Sequence, residues 1–214
     1  MNIDRDIAAR ALAKAGEEPI SNEEWEEGTS NRVRVIKEFY LATLLEALSS
    51  YDWTSQKKRA RLTALTENDS EETEENLTGF AFMYPLPADC AKVVSIDDGK
   101  PYIVEGAFLF SDEKDPVLLY IKNYFTTSSD YENDDYAFYE QPSLDPTLSA
   151  YFECKLAASI ALKLTGGADK YQMLYNEATI IANKAMKKSA EQARNRSKGN
   201  KWWAEELGLA GGDV

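Results

Sequence analysis

The chain has 214 residues, with 24 Lys and Arg against 37 Asp and Glu for a formal net charge of −13, no His, two Cys and 43% apolar residues. Length and apolar fraction are enough to bury a core in one large domain or two small ones, which excludes disorder throughout. Without imidazole, Ser-His and Cys-His chemistry and the commonest transition-metal ligand are excluded, which leaves only carboxylate- or Lys-based catalysis in principle.

Cys90 and Cys154 are too few for a disulfide framework or a four-ligand zinc site. No apolar run approaches the roughly eighteen residues of a membrane span, and Met1 to Arg5 does not lead into a signal-peptide core. The expectation is a soluble protein made in the cytosol, with no membrane partner. The charge is unevenly spread. From Lys184 onward, seven cations (Lys184, Lys187, Lys188, Arg194, Arg196, Lys198 and Lys201) face four acids (Glu191, Glu205, Glu206 and Asp213), which leaves the first 183 residues near −16. Such a body repels nucleic-acid phosphate, and only the C-terminal segment attracts it.

In chain order, Ile3, Ile7, Ala8, Ala11, Leu12 and Ala15 form the stripe of a first helix, stopped by Gly16. Glu17 to Ile20 is a connector. Ser21 and Glu24 have the form of a capping box, but the stretch after them is too acidic to read as a definite helix. Thr29 or Ser30 caps a longer helix carrying Val33, Ile36, Phe39, Tyr40, Leu44, Leu45 and Leu48 to about Ser49. Trp53 after it reads as a core plug at a helix end rather than a binding residue. Thr66 to Asn76 holds six acids and no apolar side chain; it lacks the EF-hand register and reads as a solvated loop.

From Phe80 the texture changes to short β-branched and aromatic runs. These are Phe80 to Tyr84, Lys92 to Ile96, Tyr102 to Val104, Ala107 to Phe110 and Val117 to Ile121. Asp98-Gly99 signals a hairpin between two of them, and Asp112 to Pro116 a further turn. Tyr124 to Gln141 has no steady period and reads as a loop. Asp145-Pro146 starts a helix through Leu148, Phe152, Leu156, Ile160 and Leu164, ended by Gly166-Gly167. A last amphipathic helix begins near Asp169 and carries Tyr171, Leu174, Ala178, Ile181, Ala185 and Met186 into the basic region, with regularity lost beyond about Lys198. The expected architecture is α+β, a helical bundle from the N- and C-terminal segments with an inserted small antiparallel β-domain. Its divisions are 1–65 (first part of the bundle), 66–78 (acidic loop), 79–141 (β-domain with a Tyr-rich loop), 142–198 (second part) and 199–214 (tail).

No phosphate-binding glycine loop occurs, and paired acids such as Asp97-Asp98 and Asp134-Asp135 read as solvated turns, so no catalytic, cofactor or metal residue is assigned. The C-terminal end resists so plain an account, because two adjacent exposed indoles are costly unless something covers them. Trp202 and Trp203 after a basic stretch point to docking on a partner. Folding of the indoles back on their own bundle, and stacking with nucleic acid, stand as alternatives, the second opposed by the acidic body.

Several segments, in order, resemble one family. They are Ala11 to Glu17 before Pro19-Ile20, then Tyr40 and Leu44-Leu45 leading to Trp53, Arg59 to Leu62, Phe82 to Val93 with its Y-P-L-P-A-D-C run, Leu119 to Ile121, and Leu156 to Thr165. Together they resemble the tail tubular protein A family of short-tailed bacteriophages over roughly residues 5 to 190; the acidic insertion at Thr66 to Asn76 and the Trp-bearing end depart from it. The resemblance implies a non-enzymatic, cofactor-free head-to-tail connector in the virion, also called an adaptor or gatekeeper. In that family twelve copies form a ring beneath the portal protein, with a helical bundle around the channel, and join it to a nozzle of the tail tubular protein B type and often to fibres. A strongly negative ring would let DNA pass without specific binding. On this reading Lys187, Lys188, Arg194, Arg196, Lys198, Lys201, Trp202 and Trp203 dock on the portal, and Tyr131, Tyr136 and Tyr139 contact neighbouring subunits or the nozzle. The rivals are a host-surface or ligand-binding module built on the β-domain, and a carboxylate-based hydrolase or calcium-dependent enzyme.

Overall fold

The computed structural model describes residues 5–18, 20–65, 76–97, 99–126, 137–138 and 144–199, with backbone alone for 125–126, 137–138 and 194–199. The fold is α+β. The chain divides into two compact units, one made of Ile3–Ala47, Trp53–Ser55 and Ser143–Val214, the other of Met1–Asn2, Leu48–Asp52 and Gln56–Pro142.

The first unit is helical. Its elements are α1 (Arg5–Ala15), α2 (Asn22–Glu27), α3 (Asn31–Ser49) up to Ala47, α4 (Pro146–Thr165) and α5 (Ala168–Gly199). In α1 the side chains of Ile7, Ala8, Ala11, Leu12 and Ala15 are buried, and Gly16 closes the helix in the left-handed region at φ 89°. The acidic stretch left open above is a helix, α2. It buries no residue; its ends hold it instead. Ser21 Oγ accepts the Glu24 N–H at 3.0 Å, and the Gly28 N–H donates to Glu24 O at 3.1 Å. Its first-turn acids favour the helix N-terminus, and Glu24 clamps Arg32 of α3 at 2.8 Å. Ser30 caps α3, as its Oγ accepts the Val33 N–H.

Helix α4 is central to this unit. Leu148, Phe152, Leu156 and Ile160 are buried on one side and Tyr151, Cys154, Ala158 and Ala161 on others, so it is apolar nearly all round, as a helix with neighbours on several faces must be. It packs on α1 and α5, and Phe152 meets the Tyr40 ring of α3 edge-on at 5.0 Å. The one carboxylate drawn into this face, Glu153, is paired with Arg10 at 2.9 Å. Asp145 caps α4 by accepting the N–H groups of Thr147 and Leu148 at 3.0 and 3.3 Å, ahead of Pro146 at the first helical position. Asp145→Ala is expected to lower stability by about 1 kcal/mol, read from the urea midpoint at unchanged slope.

The second unit holds strands β1 (Lys57–Arg61), β2 (Phe82–Pro85), β3 (Cys90–Ile96), β4 (Ile103–Glu105), β5 (Phe108–Ser111), β6 (Val117–Lys122), β7 (Phe125–Thr126) and β8 (Ala137–Phe138). They form three antiparallel sheets, ordered β1-β6-β3, β2-β5-β4 and β7-β8. The first two share a core of Leu62, Tyr84, Ile96, Leu109, Leu118 and Tyr120.

Three expectations are corrected here. Lys57 to Arg61, read within the first part of the helical bundle, is a strand, because pairing with β6 sets Ala60 beside Leu118 on the core face and puts Lys57, Arg59 and Arg61 on the other. Asp98-Gly99 does not close a hairpin, since β3 and β4 lie in different sheets. Asp98 itself lies outside the described residues. Asp97 at φ 35° and Gly99 at φ 108°, whose N–H donates to Ile96 O at 2.8 Å, carry the chain from one sheet to the other, and two register shifts in β3 bend that strand away. Within the segment read as a loop, Phe125 and Thr126 pair with Phe138 and Ala137. Of the acidic loop, 66–75 lie outside the described residues, as does 200–214, the stretch where regularity was expected to fade; α5 runs to Gly199.

Candidate interaction surfaces

Helix α5 carries five of the eight residues expected to dock: Lys187, Lys188, Arg194, Arg196 and Lys198. One face is buried through Leu174, Ala178, Ala182, Ala185 and Ser189 at three- and four-residue spacing. Thr54 fixes the end of that row: its N–H donates to Ser189 Oγ at 2.8 Å and its hydroxyl to the Ser189 carbonyl at 2.9 Å. The opposite face exposes Met173 (53%) and Ile180 (57%), and beyond them Lys184, Lys187 and Lys188. Among the described residues Lys187 and Lys188 have no ion-pair partner. Arg194, Arg196 and Lys198 lie on the last turns of α5, where cations favour the negative end of the helix dipole, but their side chains lie outside the description. Lys201, Trp202, Trp203, Tyr131, Tyr136 and Tyr139 lie outside the described residues altogether.

The sheet unit holds features that the sequence alone left unassigned. An open groove of about 410 Å³ lies between β3 and β4, both edge strands, and is lined by Leu86, Cys90, Lys92, Val93, Tyr102 and Val104. Val104 remains 41% exposed in it, and Lys92 is held at 2.8 Å by Asp52. At the start of β3, Asp89 joins three strands. Its carboxylate accepts the Tyr120 hydroxyl at 2.8 Å and Lys58 Nζ at 2.7 Å, while its carbonyl accepts the Asn123 N–H. Burial pulls the Asp89 carboxyl up, but the bonds from Lys58 and Tyr120 outweigh it and hold the group below its ordinary value. The same burial, with the carboxylate alongside, pushes the Tyr120 phenol up to about 12. The only sequence signal for Asp89 was its place in the L-P-A-D-C run.

Neither thiol is poised to react as a thiolate. Burial, then the Asp89 charge, pushes Cys90 up to about 11, and burial raises Cys154, which donates to Glu177 Oε1 at 3.5 Å beside the Lys14–Glu177 pair. Among the described residues no group of three or more Cys, Asp or Glu could hold a metal ion, and no helix is long and apolar enough to cross a membrane. No protein-family model matches the chain, and no curated protein matches it either. What the described surface offers is therefore a basic helix face, an apolar groove and a cationic strand edge.

Proposed function

We propose that this protein is a structural head-to-tail connector of a short-tailed bacteriophage. It forms a ring of twelve copies between the portal and the tail nozzle and lines the channel through which DNA leaves the capsid. The observation that carries the reading is where the resembling segments fall. Ala11 to Gly16 closes α1, Tyr40 and Leu44 lie on the buried face of α3, and Trp53 is buried. Pro85 to Cys90 leads from β2 into β3, Leu119 to Ile121 is the middle of β6, and Leu156 to Thr165 is the second half of α4. Many of these are packing positions in successive elements and they occur in chain order, while Leu45, Arg59, Arg61, Pro85 and Leu162 of the same segments are exposed. The charge of −13 suits a bore that DNA passes without sticking.

The portal contact is assigned to the basic end of α5 and the residues after it, from Lys184 to Trp203. Native mass spectrometry and negative-stain imaging of the protein with its portal test the reading. Twelvefold rings of the 24.0 kDa subunit support it, and a monomer indifferent to portal sinks it. Reversing charge with Lys187→Glu and Lys188→Glu, both at exposed positions, should weaken attachment by about tenfold or more while leaving the melting temperature unchanged. The groove between β3 and β4 favours one other reading, a ligand- or host-surface-binding module; glycan binding by a chain that ignores portal would select it.

A further inference from the structure

The free edge of β1 is the most cationic feature among the described residues of the sheet unit. Four of its five residues are cationic, in a chain of net charge −13. One edge pairs with β6 along its whole length, from Lys57 opposite Ile121 to Arg61 opposite Val117, and among the described residues no strand covers the other. Lys58 is spoken for, held by Asp89 at 2.7 Å. Lys57, Arg59 and Arg61 alternate with the core-facing positions and share the other face of the strand. Lys57 is half-buried, Arg59 and Arg61 are exposed, and none of the three has an ion-pair partner among the described residues; Arg61 donates only to the Asp115 carbonyl.

An edge of this kind is selective. Set against β1 of another copy it would oppose cation to cation, which is unfavourable, so it is closed to itself. A strand with acids at every second position would instead meet the cations one for one while its main chain bonds to the open edge. The chain contains that pattern. Glu67, Asp69 and Glu71 recur at the same two-residue spacing as Lys57, Arg59 and Arg61, separated by Asn68 and Ser70.

We propose that the open edge of β1 is a subunit interface, occupied by the acidic stretch around Glu67 to Glu71 of a second copy. The contact is heterologous, two different patches meeting, and such contacts form a ring when the rotation between successive copies closes. It thereby deepens the connector reading, on which it rests, by naming a contact that joins neighbouring copies.

A charge swap in the full chain tests this. Wild type should self-associate in sedimentation velocity, with association falling about tenfold or more when salt is raised from low to several tenths molar. One chain carries Lys57→Glu, Arg59→Glu and Arg61→Glu, another Glu67→Lys, Asp69→Lys and Glu71→Lys. Each alone should sediment as a monomer, and an equimolar mixture should associate again, since each supplies the patch the other now complements. The rescue also shows that both chains are folded. A wild type that stays monomeric, a first variant that sediments like wild type, a mixture that stays monomeric because the stretch pairs within its own chain, or single-stranded DNA captured by β1 instead, would each overturn the proposal. Twelvefold rings formed on portal by the charge-reversed chain would remove this contact and leave the connector reading in place.

Discussion

Trp53→Ala is expected to destabilise the protein by about 3–5 kcal/mol, a large part of the stability of an ordinary domain. The indole is 1% exposed and lies tilted against the Tyr151 ring at 6.1 Å. Its truncation opens a cavity among side chains that close only in part, and it does more besides. The Trp53 Nε1–H donates to the Ala47 carbonyl at 2.8 Å. Ala47 is in the last turn of α3, so the indole N–H adds a bond to that end of the helix. Trp53→Phe refills most of the space but removes the indole's bond to that carbonyl, and should cost about 1–2 kcal/mol. Urea unfolding followed by far-ultraviolet circular dichroism separates the two variants. A loss below about 1 kcal/mol for Trp53→Ala would mean that the site collapses freely and that Trp53 is no plug.

Asp89→Ala should cost about 2–3 kcal/mol, because it strands the hydroxyl of the almost wholly buried Tyr120 and frees Lys58 from the strand edge. If the unpaired hydroxyl is the main cause, adding Tyr120→Phe in the same chain should recover about 1 kcal/mol; a purely additive double variant would contradict this. The carboxylate also sets a pH dependence. Its folded value is depressed below the ordinary one, so its contribution is complete above the unfolded value near about 4 and is lost as pH falls through the folded value. The stability gap between wild type and Asp89→Ala should thus be constant from about pH 5 upward and shrink below about pH 4. A gap that grew on acidification would reverse the sign and rule out the ionised carboxylate as its source.

Much of the helical unit was legible because its signals are local. Gly16, Ser30, Asp145-Pro146 and Gly166 mark ends by backbone chemistry a few residues long, and the apolar period between them shows the buried face. The strands β3, β5 and β6 were legible from their β-branched and aromatic runs, but their partners were not. Asp98-Gly99 announces a reversal of the chain without saying which strand lies beyond it, and the outcome was decided by β5 and β6, each taking the middle of a sheet. β1 was illegible for a sharper reason: with Lys57, Lys58, Arg59 and Arg61 around Ala60, its strand state comes from pairing with Leu118 and Tyr120, about 60 residues onward. Asp89 hid likewise, since its partners Lys58 and Tyr120 each stand 31 residues away in opposite directions. The reading of a last amphipathic helix running into a basic region agrees with α5, where buried small residues at helical spacing leave Lys187 and Lys188 on the exposed face.

The helical unit is split in sequence, with α1 to α3 at one end and α4 and α5 at the other, while the eight strands of the described residues lie between. During synthesis this arrangement fixes an order. The strands have all emerged before α4 exists, so the sheet unit can close on contacts already to hand. The apolar stripes of α1 and α3 must wait for the last third of the chain, as the 163-residue separation of Lys14 from Glu177 makes plain. A ribosome paused after the strands would therefore hold a finished sheet unit beside two uncovered helices, and that interval is when the nascent chain is most open to aggregation and most in need of a chaperone.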